Sequence, residues 1–236
     1  MSLVAAGPVI PNFGQGSRCE RTNGWWCTDW LHAHWGDTLQ PALVQHIELS
    51  AIAVGIGFAL ALVLALAGFR FRLLDAPIGL FADFLYTIPS LALFQLLVPL
   101  TGLTVTTVEI ALVSYTLLIL YRNMIEGLRA VPPDALEAAR GMGLTRFQTL
   151  VRVELPLAVP AIVAGLRIAS VSTISIATVA AFVIPQGLGN PIFIALRQDL
   201  FKTEILAAGG LAVALALTAD ALLALTQRVL TPWSRA

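Results

Sequence analysis

Five long stretches of this chain carry almost no charge, and that property decides what it can fold into. They run roughly from Val44 to Phe69, Ile78 to Leu100, Val105 to Leu120, Pro160 to Val183 and Glu204 to Val229. A helix needs about 20 predominantly apolar residues to cross a bilayer core. The third stretch is the shortest and carries Glu109 near its start. Only 12% of the residues are charged, against about 25% in a soluble domain. Most of the surface must therefore face lipid. The expectation is an all-α, polytopic membrane protein of about five spans.

The remaining composition narrows the function by exclusion. Formal net charge is zero, so no nucleic-acid partner is expected. Lys202-Thr203 follows no glycine-rich run, so the chain lacks a phosphate-cradling loop and is not its own ATPase by that route. His32, His34 and His46 all lie at or outside the first span's outer boundary, and no HExxH or GxSxG motif occurs. Neither a catalytic centre nor a metal site is expected. Cys19 and Cys27 are not at metal-ligand spacing. They form a disulfide if their segment lies outside the cytoplasm, or stay as two thiols. The N-terminus does not read as a signal peptide, because the first apolar run starts too far in and is too long.

Short connections rich in arginine mark the cytoplasmic side of a membrane. With the N-terminus outside, the inner side receives Arg70, Arg72, Arg122, Arg129, Arg140, Arg146, Arg152, Arg228 and Arg235. The outer side receives Arg18, Arg21, Arg197 and Lys202. That bias predicts an outer N-terminus and a cytoplasmic C-terminus. Residues 1–42 then form an extracytoplasmic tail, 43–230 the transmembrane unit and 231–236 a cytoplasmic tail. The outer tail holds Trp25, Trp26, Trp30 and Trp35, a residue type that favours membrane interfaces. Its stretch from Thr28 to Gln40 predicts an interfacial helix with Asp29 as cap.

The polar connection 121–156 is the longest on the inner side. Pro132-Pro133 cannot continue the preceding helix, so a new one is expected there, with Asp134 as N-cap and Glu137 completing a capping box. Gly141 and Gly143 should end it. Thr145 and Gln148 repeat the capping-box spacing and predict a second short helix, with Phe147, Leu150 and Val151 on one side. Pro156 should start or kink the next element.

Glu137-Ala138-Ala139, three residues, Gly143, nine residues, Val153, one residue, Leu155-Pro156 resembles the EAA loop of inner-membrane permease subunits of ABC importers. Val153 stands where isoleucine is usual. In that family the loop is the cytoplasmic surface on which the ATPase docks. The resemblance thus implies a coupling role for Glu137, Ala138, Ala139, Gly141, Gly143, Leu144, Leu155 and Pro156. Residues 86–93, 98–102, 122–124 with 127–128, and 180–183 with 187–189 look like osmoprotectant permeases in particular. Ile184-Pro185-Gln186 departs from the small residues more often found there.

The resemblance implies a type I ABC importer permease fold in the inner or plasma membrane of a prokaryote. It implies two cytoplasmic ATPase subunits using ATP and Mg, a second permease subunit and an extracytoplasmic substrate-binding protein. No cofactor is expected on this chain itself. Glycine betaine, choline or carnitine is the implied cargo, with methionine or another amino acid the alternative. Candidates for pathway or gating roles are Asp83, Tyr86, Arg167, Ser170, Thr173 and Asp220. Asp83 is the candidate partner for Arg167 across the bundle. Small hydroxylated residues such as Ser170 and Thr173 equally suit close helix packing.

Overall fold

A computed structural model describes residues 18–197 and 200–231. The beginning of the expected outer tail and all but the first residue of the expected C-terminal tail lie outside the described residues. Helices follow one another in the order α1 (Arg18–Arg21), α2 (Thr28–His34), α3 (Gln40–Arg70), α4 (Arg72–Thr87), α5 (Ser90–Thr101) and α6 (Val105–Arg129). Then come α7 (Pro133–Gly141), α8 (Arg146–Thr149), α9 (Leu155–Val179), α10 (Gly189–Arg197) and α11 (Lys202–Leu230). Among the described residues no strand occurs. Among the described residues four continuous helices are long and apolar enough to span a membrane, and α4 with α5, bent by 99° at their break, make a candidate fifth.

α6 is the axis of the bundle. Its Val108, Leu112, Leu120, Tyr121 and Met124 are fully enclosed by α3, α9 and the α4–α5 pair. Without a hydrophobic drive between helices in lipid, association depends on close packing of small residues. α3 supplies a stripe of them: Ala53, Gly57, Ala61 and Ala65 are buried at four-residue intervals. A Cβ on Gly57 would lie 1.8 Å from the Thr116 hydroxyl, so this crossing requires glycine. Asn123 fits against Gly165 of α9 in the same way, where a Cβ would come within 2.5 Å.

The second expected span is not a straight helix. Ile88 is extended and Pro89 starts α5. The residue before proline is driven out of the helical region, and proline lacks the N–H that would continue the ladder. A broken backbone at membrane depth needs its polar groups satisfied by neighbours. Tyr115 of α6 does this by donating its hydroxyl to the Ile88 carbonyl. The third span extends further than expected, to Arg129, capped at its start by Thr104.

Two other prolines leave their helices intact. Pro41 and Pro156 each lie near the start of a long helix that follows a widened π-turn, at Trp35–Leu39 and Leu150–Glu154. The wider turn relieves the clash between a proline ring and the carbonyl four residues back. Thr28–His34 is consequently continuous with α3 and not a separate interfacial helix. Its N-cap is Cys27, and Asp29 lies in the first turn.

Candidate functional site

The connection from Arg129 to α9 turns outward from one end of the bundle. α7 begins at Pro133, whose missing N–H costs nothing at a first helical position. Its N-cap is Pro132, with no side-chain cap bond, so the expected Asp134–Glu137 capping box does not form. Asp134 lies one position inside the helix and acts only through its charge near the helix N-terminus.

The end of α7 has a defined geometry. The Leu144 N–H donates to the Ala139 carbonyl at 3.1 Å, and the Gly143 N–H to the Arg140 carbonyl at 2.9 Å. This crossed pair is the Schellman arrangement, which needs left-handed backbone at its penultimate position. Gly143 supplies it with φ of +77°. Gly141 is still helical and has open space where a Cβ would stand.

Thr145 then caps α8. Its hydroxyl accepts from the Gln148 N–H, and the Gln148 side chain accepts from the Thr145 N–H at 2.8 Å. The expected capping box is present here. α8 is not a separate helix, however. It runs through the π-turn into α9, so Arg146–Phe182 is one unbroken helical piece. The N-terminal end of that piece is therefore a stiff extension of a membrane span.

The side chains sort by face. Glu137 and Ala138 are exposed, while Ala139 is fully buried. Each residue of a helix is rotated by about 100° from the one before it, so the three cannot share a surface. Ala139 is a packing residue and not a surface for close approach by another chain. Met142 and Phe147 are 71% and 74% exposed, and Val151 is also exposed, with Arg140, Arg146 and Arg152 among them. Leu150 turns away from this surface, lining with Leu136, Leu144 and Phe147 a cleft of about 610 Å³ against Leu66 and Phe69 of α3. Leu155 and Pro156 are half-buried at the root of α9.

The candidate pathway residues do not converge. Asp83 of α4 pairs with Arg122 of α6 at 2.6 Å. Arg167 instead holds Asp220 of α11 through two hydrogen bonds of 2.8 and 3.0 Å. The expected Arg167–Asp83 pair is thus replaced by two pairs, because α11 and not α4 packs along that part of α9. Tyr86 meets Tyr115 edge to face at 5.8 Å. Ser170 is buried and donates to the Leu166 carbonyl one turn back, and Thr173 is fully buried.

Sequence reasoning missed two polar links. Asp75 accepts from Tyr121 at 2.7 Å and from Arg129 at 2.6 Å, tying the start of α4 to α6. His46, fully buried, bridges α3 and α9: its Nε2 lies 3.0 Å from the Ile174 carbonyl, and its Nδ1 accepts the Leu188 N–H at 3.2 Å. A backbone N–H only donates, so the neutral tautomer with the proton on Nε2 satisfies both contacts. The only sequence signal for either link was an ionisable residue inside an apolar stretch.

The sequence model of a family described as "Binding-protein-dependent transport system inner membrane component" matches residues 42–233. The chain is 37% identical over 153 residues to the glycine betaine/carnitine/choline transport system permease protein OpuCB of Bacillus subtilis (strain 168), covering 64% of this chain and 70% of that one. It is 38% identical over 151 residues to the choline transport system permease protein OpuBB of the same organism, covering 64% and 69%. Among solved structures, an inward-facing MetNI methionine ABC transporter chain superposes with a TM-score of 0.69 at 19% identity, over 86% of this chain and 97% of that one. At that identity the likeness concerns the fold, which is that of a type I ABC importer permease.

Proposed function

The chain belongs to the family of binding-protein-dependent transport system inner membrane components, the multi-pass subunits of ABC importers, and from that premise we propose that its cargo is a small quaternary-ammonium compatible solute. Glycine betaine, choline and carnitine are the candidates. The observation that carries this reading is the 37–38% identity, over about 150 residues, to permeases named for those solutes. The methionine transporter shares the fold at 19% identity, which says nothing of cargo.

In this reading two permease subunits, as copies or paralogues, enclose the pathway. An extracytoplasmic binding protein delivers solute, and two ATPase subunits hydrolyse ATP with Mg on the cytoplasmic side. This chain supplies no catalytic group of its own. The end of the bundle carrying α7 and α8 faces the cytoplasm, residues 1–42 begin outside, and 231–236 end inside. The arginine bias supports that orientation. So does the Cys19–Cys27 disulfide at the opposite end, since such bonds persist in oxidising compartments.

The surface of Glu137, Ala138, Met142, Phe147 and Val151 docks the ATPase. Gly143 sets the angle between α7 and α8, and Leu144, Leu155 and Pro156 root the surface in the bundle. ATP binding by the paired ATPases moves this surface. Because α8 continues into α9, displacement passes to a membrane span without a hinge. The free energy comes from differential nucleotide affinity between states. Asp83, Tyr86 and the Arg167–Asp220 pair act in gating, and Ser170 and Thr173 in helix packing.

Uptake of labelled choline by proteoliposomes holding both permeases, the ATPase and the binding protein tests the cargo. Glycine betaine and carnitine should compete while methionine and proline do not. Competition by methionine alone would sink the assignment.

A further inference from the structure

The matched family region begins at residue 42, yet the described residues before it, from Arg18 on, are built into the bundle. Cys19 and Cys27 are joined, with Cα atoms 5.7 Å apart, and close a short loop. Gly24 lies beneath the bond, where a Cβ would come within 2.6 Å of the Cys19 sulfur.

The loop grips the start of α11 through reciprocal hydrogen bonds. Asn23 donates its amide to the Leu200 carbonyl at 3.2 Å and accepts the Lys202 N–H at 3.0 Å. Thr203, fully buried, donates to the Gly24 carbonyl at 3.0 Å and accepts the Cys27 N–H at 3.1 Å. Asn23 and Leu200 both have left-handed backbone, φ of +48° and +52°, which a leucine adopts only when its surroundings hold it there. Around this contact Trp30 packs edge to face on Phe201 at 5.4 Å, and Lys202 lies 4.9 Å over the Trp25 ring. The first N–H groups of a helix lack intrahelical partners. The loop therefore supplies α11 with an N-terminal cap that belongs to a segment 179 residues earlier.

We propose that residues 19–27 form a thiol-reducible latch that fixes the outer end of α11. The oxidised loop presents Asn23 and Gly24 in register with Leu200, Lys202 and Thr203. A dithiol reductant transfers two electrons and two protons to the bond, leaving two cysteine thiols and a cyclic disulfide of the reductant. Cys19 is half-buried and open to attack, whereas Cys27 is enclosed. Once opened, the loop no longer holds Asn23 in place, and the far end of α11 becomes free to move while the α6-centred core stays intact. The latch rests on this geometry and not on the identity of the cargo.

Amide hydrogen exchange on the purified full-length chain in nanodiscs tests it. With dithiothreitol, exchange at Lys202 and Ile205 should quicken by at least about tenfold, the change expected for loss of a capping contact of about 1.4 kcal/mol. Asn23→Ala should do the same with the disulfide intact. Cys19→Ser/Cys27→Ser should match the reduced protein and ignore dithiothreitol. Protection of Leu112–Leu120 in α6 should not change in any of these. Exchange at Lys202 and Ile205 within twofold of the oxidised protein would overturn the latch. So would loss of protection spreading to α6, which would make the loop a general stabiliser instead.

Discussion

The α6-centred core and the α7–α8 surface are built from opposite materials. Around α6, glycine and alanine allow helices to touch, and polar groups are spent on one another: Tyr115 on the Ile88 carbonyl, His46 on Ile174 and Leu188, Tyr121 on Asp75. Along α7 and α8 large apolar side chains stand in the open, and the hydrogen bonds are local, among them those of a Schellman end and a capping box. The first region is specified by tertiary contact. The second keeps its shape from nearby residues and leaves large apolar side chains exposed. Substitutions should therefore divide into those that damage the protein and those that damage only its coupling.

The largest effect is expected from Gly189→Ala in the core. A Cβ there would lie 1.9 Å from the Thr178 carbonyl oxygen, a backbone atom that cannot swing aside. Overpacking of this kind costs roughly 3 kcal/mol, and thermal inactivation in detergent should fall by several degrees or more. Gly141→Ala, with open space at its Cβ, should leave that temperature unchanged. Equal behaviour of the two would erase the distinction drawn here.

Next comes Glu137→Lys. As an exposed residue of the proposed docking surface it should cost about 2 kcal/mol of ATPase affinity, roughly thirtyfold. Uptake should collapse while the thermal profile matches the parent. Full uptake with unaltered substrate-stimulated ATP hydrolysis would remove Glu137 from the interface.

The Arg167–Asp220 pair separates packing from pathway. Asp220→Asn should lower thermal stability, and the swap Arg167→Asp/Asp220→Arg should restore part of it. If the swapped protein is as stable as the parent yet transports poorly, the pair acts in gating. If stability and uptake recover together, it is a clasp between α9 and α11.

The smallest effect is expected from Thr145→Ala, which removes a helix cap. It should cost about 1 kcal/mol locally. That should appear as faster amide exchange in Arg146–Thr149, with uptake reduced only modestly.

Much of the α7–α8 connection was readable because its causes are local. Thr145 and Gln148 are three residues apart and cap each other, and Gly143 has no side chain to oppose a positive φ. The spans were readable from apolar length. Asp134 was misread as a cap because Pro132 and Pro133 already fix the N-cap two residues earlier. That Ala139 is buried while Glu137 and Ala138 are exposed was not readable, because face depends on what packs behind α7, and the motif alone does not contain that. The prolines show the limit most clearly. Pro41 and Pro156 follow π-turns in unbroken helices, while Pro89 divides a span at 99°.

Apolar length settled that this chain is a bundle of membrane helices, and local capping chemistry settled most of the shape of its exposed loop. These follow from interactions within a few residues, which a sequence displays directly. Tertiary structure alone decided that Arg167 takes Asp220 and leaves Asp83 to Arg122, that Tyr115 licenses the break at Ile88, and that Asn23 caps a helix beginning at Lys202. Each joins groups that are distant along the chain, and several chemically adequate partners were available to every one. In a bundle held by close packing, the helix that lies alongside selects the partner.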